Sequence, residues 1–284
     1  MARYGMVINL DRCIGCYTCQ IACKDEHVGN AFPPITKPQP TFDHFWIRIH
    51  EVERVLSPSH IRVHYITIPC QQCGDAPCMK EAKEDAIYRR QDGIVIIDPV
   101  KAAGQKQLVQ SCPYEVIFWN EAENLPQKCT FCAHLLDDGW KEPRCVQTCP
   151  TGCLNFGDLD DPRSKVSKLL KEMKGDIFHR EFEAKPNVYY IGLPKPHLSG
   201  TVIYGDKDQC AGNVTITLMG QGDKKRKIKT DFFGDFAFDG LGNKTYTVQF
   251  DARGYESQTQ EVTLKDDLCY LGEIILNKTK KWEG

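Results

Sequence analysis

The feature that most constrains this chain is a run of four cysteines near its start, Cys13-x-x-Cys16-x-x-Cys19-x-x-x-Cys23. Its first three thiols fall within seven residues, which does not suit a tetrahedral zinc site built from two separated pairs. Such a run does suit three corners of a cubane iron–sulfur cluster, and its fourth cysteine then binds the other cluster of a pair. The run therefore predicts paired [4Fe-4S] clusters.

Three further cysteine groups follow along the chain. They are Cys70, Cys73 and Cys78; then Cys112 alone; then Cys129, Cys132, Cys145 and Cys149. If the first and fourth groups exchange their last cysteines, and the second and third groups share one cluster, each cluster has four thiols. The predicted ligands are Cys13, Cys16, Cys19 and Cys149 for cluster 1; Cys23, Cys129, Cys132 and Cys145 for cluster 2; and Cys70, Cys73, Cys78 and Cys112 for cluster 3. The fourth group alone would also fit zinc, which is the minority alternative beside the first group.

The cysteines that a complete pattern would add all belong to one further site. Those positions hold Ala82, Ala102, Gln105 and Leu108. A scattered loss of cysteines would damage two or three clusters, whereas these substitutions remove one cluster and leave three intact. The pattern predicts three clusters and leaves Cys153 over. We expect Cys153 to be a buried spare thiol where the chain turns away from cluster 1, with an alternate ligand as the other interpretation.

Composition limits the other possibilities. A chain with 15 cysteines is compatible with a disulfide scaffold, but such scaffolds are usually small secreted domains. The N-terminus MARYGMVINLDRC has no apolar signal core, which predicts a cytoplasmic chain in which Cys210 and Cys269 stay thiols. The net charge of −2 does not favour a nucleic-acid partner, and no apolar stretch predicts direct membrane insertion. No catalytic constellation is evident, so we expect no active site in this chain alone.

The texture of the sequence changes near residue 198. Residues 1–197 predict a duplicated ferredoxin-like cluster domain with an amphipathic helix at 162–174 and an extended strap. Residues 198–284 contain seven short alternating stretches separated by turn signals, which predict a small antiparallel β-sandwich or barrel of the carboxypeptidase-regulatory or Cna-B type. The predicted fold class is α+β. Lys128 and Arg144, each beside a cluster cysteine, are either charges that raise a cluster's reduction potential or solvated side chains.

The motifs DRCIGCYTCQIAC, CQQCGDAPC, SCPYEVIFWN, QKCTFCAHLLDDG and CVQTCPTG resemble, in this order, the electron-transfer beta subunits of the dimethyl sulfoxide reductase family of molybdenum enzymes. The resemblance covers residues 1–158, and PNVYYIG extends it to about residue 191. One cluster fewer than is usual in that family, together with the appended sandwich containing DFFGDFAFDGL, looks most like the small subunits of transhydroxylases.

This resemblance implies a large partner subunit in a heterodimer. The partner would hold molybdenum bis-pyranopterin guanine dinucleotide and act on polyhydroxylated aromatics in an anaerobe, while this chain would carry electrons. Two alternatives stay open. The chain could serve a related aromatic hydroxylase or catechol dehydroxylase, or its clusters could be mainly structural. The sandwich could be architectural or a recognition module.

Overall fold

The computed structural model describes residues 2–57, 60–265 and 269–279. The chain divides into two compact units, of which the first comprises Met1–Glu51 and Tyr65–Leu193. The second comprises Val52–His64 and Pro194–Gly284. The second unit therefore includes an internal segment of the chain, which no local sequence pattern indicates.

The secondary-structure elements of the first part of the chain are short. In the described residues the strands are β1 (Tyr4–Asn9), β2 (Arg48–Ser57), β3 (His60–Ile68), β4 (Ile87–Arg89), β5 (Val95–Ile97), β6 (Phe118–Asn120), β7 (Leu125–Gln127), β8 (Leu154–Asp158) and β9 (Val188–Ile191). The helices are α1 (Thr18–His27), α2 (Pro77–Glu81), α3 (Ala133–Asp137), α4 (Arg144–Gln147) and α5 (Lys165–Glu172). Short 3-10 turns cover Leu10–Arg12, Lys106–Val109 and Arg180–Phe182. Elements of this length bury little apolar surface individually, which is typical of domains that bound metal centres help to stabilise.

One three-stranded sheet contains strands from the beginning and from the end of the first unit. Its order is β8-β1-β9, with β8 antiparallel and β9 parallel to β1. Five of the six residues of β1 are buried, as expected for a strand covered on both faces. The remaining strands of this part of the chain pair as β2–β3, β4–β5 and β6–β7.

Helix α5 covers this sheet and confirms the amphipathic helix predicted from the sequence. Ser164 caps its N-terminus by accepting a hydrogen bond from the Ser167 amide at 3.2 Å, which satisfies one of the free amides of the first turn. Val166 is fully buried in a cluster with Val7 and Ile191. The predicted apolar face therefore packs on β1 and β9.

The second unit contains a β-sandwich with its own hydrophobic core. Its strands in the described residues are β10 (Leu198–Tyr204), β11 (Gln209–Cys210), β12 (Thr215–Gly220), β13 (Arg226–Lys229), β14 (Asp235–Phe238), β15 (Thr245–Asp251), β16 (Gln258–Thr263) and β17 (Cys269–Leu276). One sheet has the order β11-β10-β14, with β17 parallel to β10, and the other has the order β13-β12-β15-β16. The predicted sandwich is confirmed, and the short β11 is added to the seven predicted strands. The prediction that it is antiparallel throughout is wrong, because β17 runs parallel to β10. Cys210 and Cys269 are free thiols.

The internal segment joins the second unit through buried polar contacts. Arg54 is only 7% exposed and forms an ion pair with Asp239 at 2.9 Å. The Val55 carbonyl accepts a hydrogen bond from the Ser199 hydroxyl at 2.6 Å. These contacts join Arg54 and Val55 to β10 and to the residue that follows β14. None of the helices in the described ranges has the length and hydrophobicity needed to cross a bilayer.

Candidate iron–sulfur centres

The four thiols predicted for cluster 1 line a single cavity. Cys13, Cys16, Cys19 and Cys149 all belong to its lining. Within the first cysteine run, Gly15 has a φ of +66°, and a Cβ there would lie 2.4 Å from the ring of Tyr65. Only glycine fits at this position, so the loop that carries these thiols depends on it.

The four thiols predicted for cluster 3 line a second cavity. Its lining includes Cys70, Cys73, Cys78 and Cys112. Cys78 lies in α2, which begins with Pro77 at a position where the missing amide hydrogen is not needed. Helix α2 therefore places one thiol while the loops on either side place the others.

The four thiols predicted for cluster 2 are all buried: Cys23, Cys129, Cys132 and Cys145. Burial raises the pKa of the Cys145 thiol well above its ordinary value, and the charges of the other three thiols raise it further. These four side chains therefore lie within electrostatic reach of one another. The structure thus places the cluster 1 and cluster 3 thiols each around one cavity and buries the cluster 2 thiols.

The chemistry of the three sets fits [4Fe-4S] clusters, which take four cysteine thiolates each. All 15 cysteines are free thiols. Within the described ranges, no three His, Cys, Asp or Glu side chains are placed to hold a single metal ion. Two of the sets surround a cavity instead of meeting at a point as zinc ligands do. The predicted ligands would hold the clusters, and the clusters would supply one-electron redox chemistry.

Cluster binding to these sites must displace protons. Burial raises the pKa of Cys19 to about 12 and the pKa values of Cys78 and Cys129 to about 11. These thiols are therefore protonated at neutral pH before a cluster binds. Because only the thiolate binds iron, assembly releases protons and links cluster binding to pH.

The cluster 2 thiols lie within electrostatic reach of thiols from both of the other sets. Besides burial, the charge of Cys19 from the first set raises the pKa of Cys23 and Cys145 from the second. In the same way, the charge of Cys70 from the third set raises the pKa of Cys129. The Cys70 amide also donates a hydrogen bond to the Cys129 thiol. The second set is therefore adjacent to both of the others.

The place of the absent fourth set is a packed junction. Ala102 and Leu108 are fully buried. The Gln105 side-chain carbonyl accepts a hydrogen bond from the Lys83 amide at 3.0 Å, and its amide donates to the Lys83 carbonyl at 3.2 Å. Lys83 follows Ala82, so the Gln105 amide group joins the two segments that a cluster would otherwise cross-link.

Cys153 is buried, as predicted, but it does not lie away from cluster 1. It is 2% exposed and lines the same cavity as the four predicted ligands. A hydrogen bond from the Cys153 thiol to Cys13 lowers the pKa of Cys13 to about 6 and, together with burial, raises that of Cys153. The expectation that the chain turns away here is wrong because the residues after Pro150 bend back across the cavity.

Glu26 is a functional candidate that the sequence analysis missed. Its carboxylate lies 3.0 Å from Nε2 of His134 and 3.2 Å from Nε of Arg144. His134 belongs to α3 and Arg144 to α4, and each lies close in sequence to a predicted ligand of cluster 2. Glu26 thus ties α1 to both of these short helices. The sequence feature that could have identified Glu26 is its position three residues after Cys23, which places both residues on the same face of a helix.

His27 is a second missed residue. It is 1% exposed, its ring lies 4.5 Å from the Trp46 ring, and its Nε2 is 4.0 Å from the Cys132 sulfur. Burial lowers the pKa of His27 to about 3, so its imidazole is neutral. It follows Cys23 by four residues and therefore faces the same site.

Comparisons with known proteins identify the family. The 4Fe-4S dicluster domain matches residues 61–159, and the carboxypeptidase regulatory-like domain matches residues 197–268. The pyrogallol hydroxytransferase small subunit of Pelobacter acidigallici is 38% identical over 97% of this chain and 100% of its own length. A putative dimethyl sulfoxide reductase iron-sulfur subunit of Halobacterium salinarum is 36% identical over 67% of this chain and 79% of its own length. A tetrathionate reductase subunit of Salmonella typhimurium is 34% identical over 67% of this chain and 73% of its own length. The chain therefore belongs to the iron–sulfur electron-transfer subunits of the dimethyl sulfoxide reductase family of molybdenum enzymes.

Proposed function

We propose that this chain carries three [4Fe-4S] clusters and exchanges electrons with the catalytic subunit of a transhydroxylase-type molybdenum enzyme. The observation that supports the proposal is that the thiols predicted for clusters 1 and 3 each line one cavity, with the buried thiols predicted for cluster 2 near both sets. The position of a fourth site is occupied by packed side chains. The partner would hold molybdenum bis-pyranopterin guanine dinucleotide and act on polyhydroxylated aromatics. The near full-length similarity to a pyrogallol hydroxytransferase small subunit supports that substrate class. The cytoplasmic location and the heterodimer stay predictions.

We assign the partner-facing surface to the side of the chain that exposes the cluster 1 thiols. Cys16 is exposed, and the neighbouring Ile14 and Ile21 are 63% and 57% exposed. Large apolar side chains beside a solvent-accessible redox ligand are typical of a surface that a partner covers. A catalytic subunit docked here would approach cluster 1 through the Cys16 side.

Iron and sulfide analysis of the purified chain tests the cluster count. We expect about twelve irons per chain, because each of three clusters holds four. A Cys112→Ser variant should lose about four of them, since it removes a ligand of cluster 3 only. Cys153→Ser is the matched control and should keep all of them.

Two results would contradict the proposal. An iron content well below twelve in the unaltered, anaerobically purified chain would remove the three-cluster count, and unchanged iron in Cys112→Ser would remove the ligand assignment. Loss of iron from Cys153→Ser would instead make Cys153 a ligand of cluster 1. Mass spectrometry of the folded holo-chain provides an independent count.

A second candidate function is mainly structural, and the short helices α2, α3 and α4 favour it because clusters would cross-link the loops around them. EPR-monitored reduction separates the two functions. Electron transfer requires that the clusters accept electrons at potentials that a low-potential chemical reductant reaches. Clusters that stay oxidised there, in a complex that still turns over, would support the structural role.

A further inference from the structure

We propose that Lys128 is an electrostatic determinant of cluster 3, a buried positive charge that favours the reduced state of that cluster. The inference rests on the three-cluster function proposed above. It assigns to one side chain the task of setting the relative potentials of neighbouring clusters. The lysine would act on the cluster through its positive charge, which affects the reduction potential.

The position of Lys128 is unexpected from its place in the sequence. It precedes Cys129, a predicted ligand of cluster 2, yet its side chain lines the cavity of the cluster 3 thiols. The residue is only 2% exposed. The lysine therefore lies at the junction of the second and third thiol sets and is directed toward the third.

The ammonium group is held by carbonyl oxygens. Its Nζ donates hydrogen bonds to the backbone carbonyl of Val95 and, at 3.3 Å, to that of Cys129. In the part of the chain that the structure describes, these are its hydrogen-bond partners and no carboxylate forms an ion pair with it. Its charge is therefore not neutralised by an acidic side chain.

The junction around Lys128 is fixed by a second buried side chain. The Gln72 side-chain amide donates to the Cys129 carbonyl at 3.1 Å, and its carbonyl accepts from the Val95 amide at 2.8 Å. Gln72 is fully buried. Lys128 and Gln72 thus bind the same two backbone segments, which holds the ammonium against the cavity.

The contacts of Lys128 place its charge closer to the cluster 3 site. Val95, whose carbonyl accepts a hydrogen bond from the ammonium, lines the same cavity as Lys128 and the cluster 3 thiols. The contact with the second set is a single hydrogen bond to the backbone carbonyl of Cys129. We therefore expect the influence of the charge to be larger at cluster 3 than at cluster 2.

An unpaired buried ammonium is unfavourable unless an opposite charge compensates it. A cluster held by four thiolates would supply that negative charge. One-electron reduction adds a further negative charge without making or breaking a bond, so a nearby cation stabilises the reduced state and raises the reduction potential. The lysine would therefore favour an electron on cluster 3 over one on the neighbouring cluster 2.

EPR-monitored redox titration of the full holo-chain with a low-potential chemical reductant tests the inference. Lys128→Gln keeps N–H donors for the Val95 and Cys129 carbonyls and removes the charge; Lys128→Met removes both. The Cys112→Ser variant identifies the cluster 3 signal by its loss. We expect both Lys128 variants to lower the reduced-to-oxidised ratio of cluster 3 at a given potential by about tenfold, which is about 59 mV for a one-electron couple.

The other clusters and a surface lysine provide the controls. We expect a smaller shift in the same direction for cluster 2 and none for cluster 1, while Lys128→Arg should keep the original order of potentials. Lys106→Met, which alters an exposed lysine paired with Glu121, should move no potential. If the Lys128→Met variant loses iron, the cluster 3 potential of the Lys128→Gln variant tests the inference.

Two outcomes would overturn the inference. The first is an unchanged cluster 3 potential in Lys128→Gln with full iron content. The second is an equal shift at all three clusters, which would indicate a general change in solvent access. Failure of the three-cluster function is distinguishable, because it appears as low iron in the unaltered chain before any titration.

Discussion

His197 is a residue whose ionisation should affect the stability of the second unit. It is 1% exposed, and its Nε2 donates to the Val55 carbonyl at 3.3 Å. Burial lowers the pKa of His197, so the folded chain keeps the imidazole neutral where the unfolded chain binds a proton. The stabilisation is then fully present above the unfolded pKa of about 6.5 and is lost as the pH falls toward the folded pKa.

We therefore expect the sandwich to lose stability as the pH falls from 8 to 5. Hydrogen exchange of peptides from β15, followed by mass spectrometry, would report the second unit separately from the cluster sites. His197→Gln removes the titrating group, and its stability should depend less on pH. An identical pH dependence in both proteins would show that another group is responsible.

At this scale cysteine spacing was enough to predict the thiols that line the cavities of the cluster 1 and cluster 3 sites, because spacing within a loop limits which sulfurs can meet; the assignment of four ligands to each cluster stays a prediction. The side chains around the clusters were harder to predict. To predict the positions of Glu26 and His27, one would need to know that the face of α1 that carries Cys23 is directed toward α3 and α4. To predict the position of Lys128, one would need to know that its side chain extends from one cysteine group to the cavity of another. Such orientations depend on packing between segments that are distant in sequence.

Among the elements, the segments around the absent fourth site are the most informative. The 3-10 turn Lys106–Val109 follows Gln105 directly, and Leu108 on that turn is fully buried. The turn is therefore anchored from both ends, by an apolar side chain and by the Gln105 amide group. The hydrogen-bonded Gln105 side chain stabilises this turn, which a bound cluster would stabilise in a relative with the full cysteine pattern.

We expect Gln105→Ala to destabilise this turn by about 1–3 kcal/mol, because it removes hydrogen bonds to the backbone of Lys83 and Lys101. Hydrogen exchange of the amides in residues 101–109 measures the effect. Gln107→Ala is the matched control on the same turn, since its side chain has only a 3.5 Å contact with Gln105. Equal exchange in both variants would contradict the role of Gln105, and the iron content should stay unchanged in each.

The element predictions succeeded where one periodicity was complete within a segment. Helix α5 shows its apolar face in its own sequence, and β15 alternates exposed and buried residues along its length. The contribution of Val52–His64 to the second unit had no such local signal, because β2 and β3 look like one ordinary strand pair. Only the distant contacts of Arg54 and Val55 reveal where this segment belongs.

For the whole molecule, the two units differ in what holds them together. The second has a continuous core that includes Leu198, Val202, Ile216, Phe238 and Phe250. The first is built from short elements around three sets of four thiols. Hydrophobic burial therefore stabilises the sandwich directly, whereas we expect the first unit to depend on bound clusters.

Removing iron and sulfide should consequently separate the behaviour of the two units. We expect amide protection to fall by at least tenfold in α1, α2 and α4 after anaerobic iron chelation, with β12 and β15 retaining theirs. Hydrogen exchange followed by mass spectrometry resolves the two sets of peptides. Equal loss of protection in both units would show that the sandwich also depends on the clusters.

The segment Val52–His64 also has a consequence for the order in which the chain is made. During synthesis it leaves the ribosome long before Pro194 and the sandwich strands. This segment therefore cannot form its contacts with the rest of the second unit until those later residues have been made, while the cluster-binding loops are already folding. The sandwich is therefore not a detachable C-terminal appendage. A truncation after Leu193 would remove the residues that Val52–His64 contacts in the second unit. Fusion of the sandwich to another chain would therefore have to include both Val52–His64 and Pro194–Gly284.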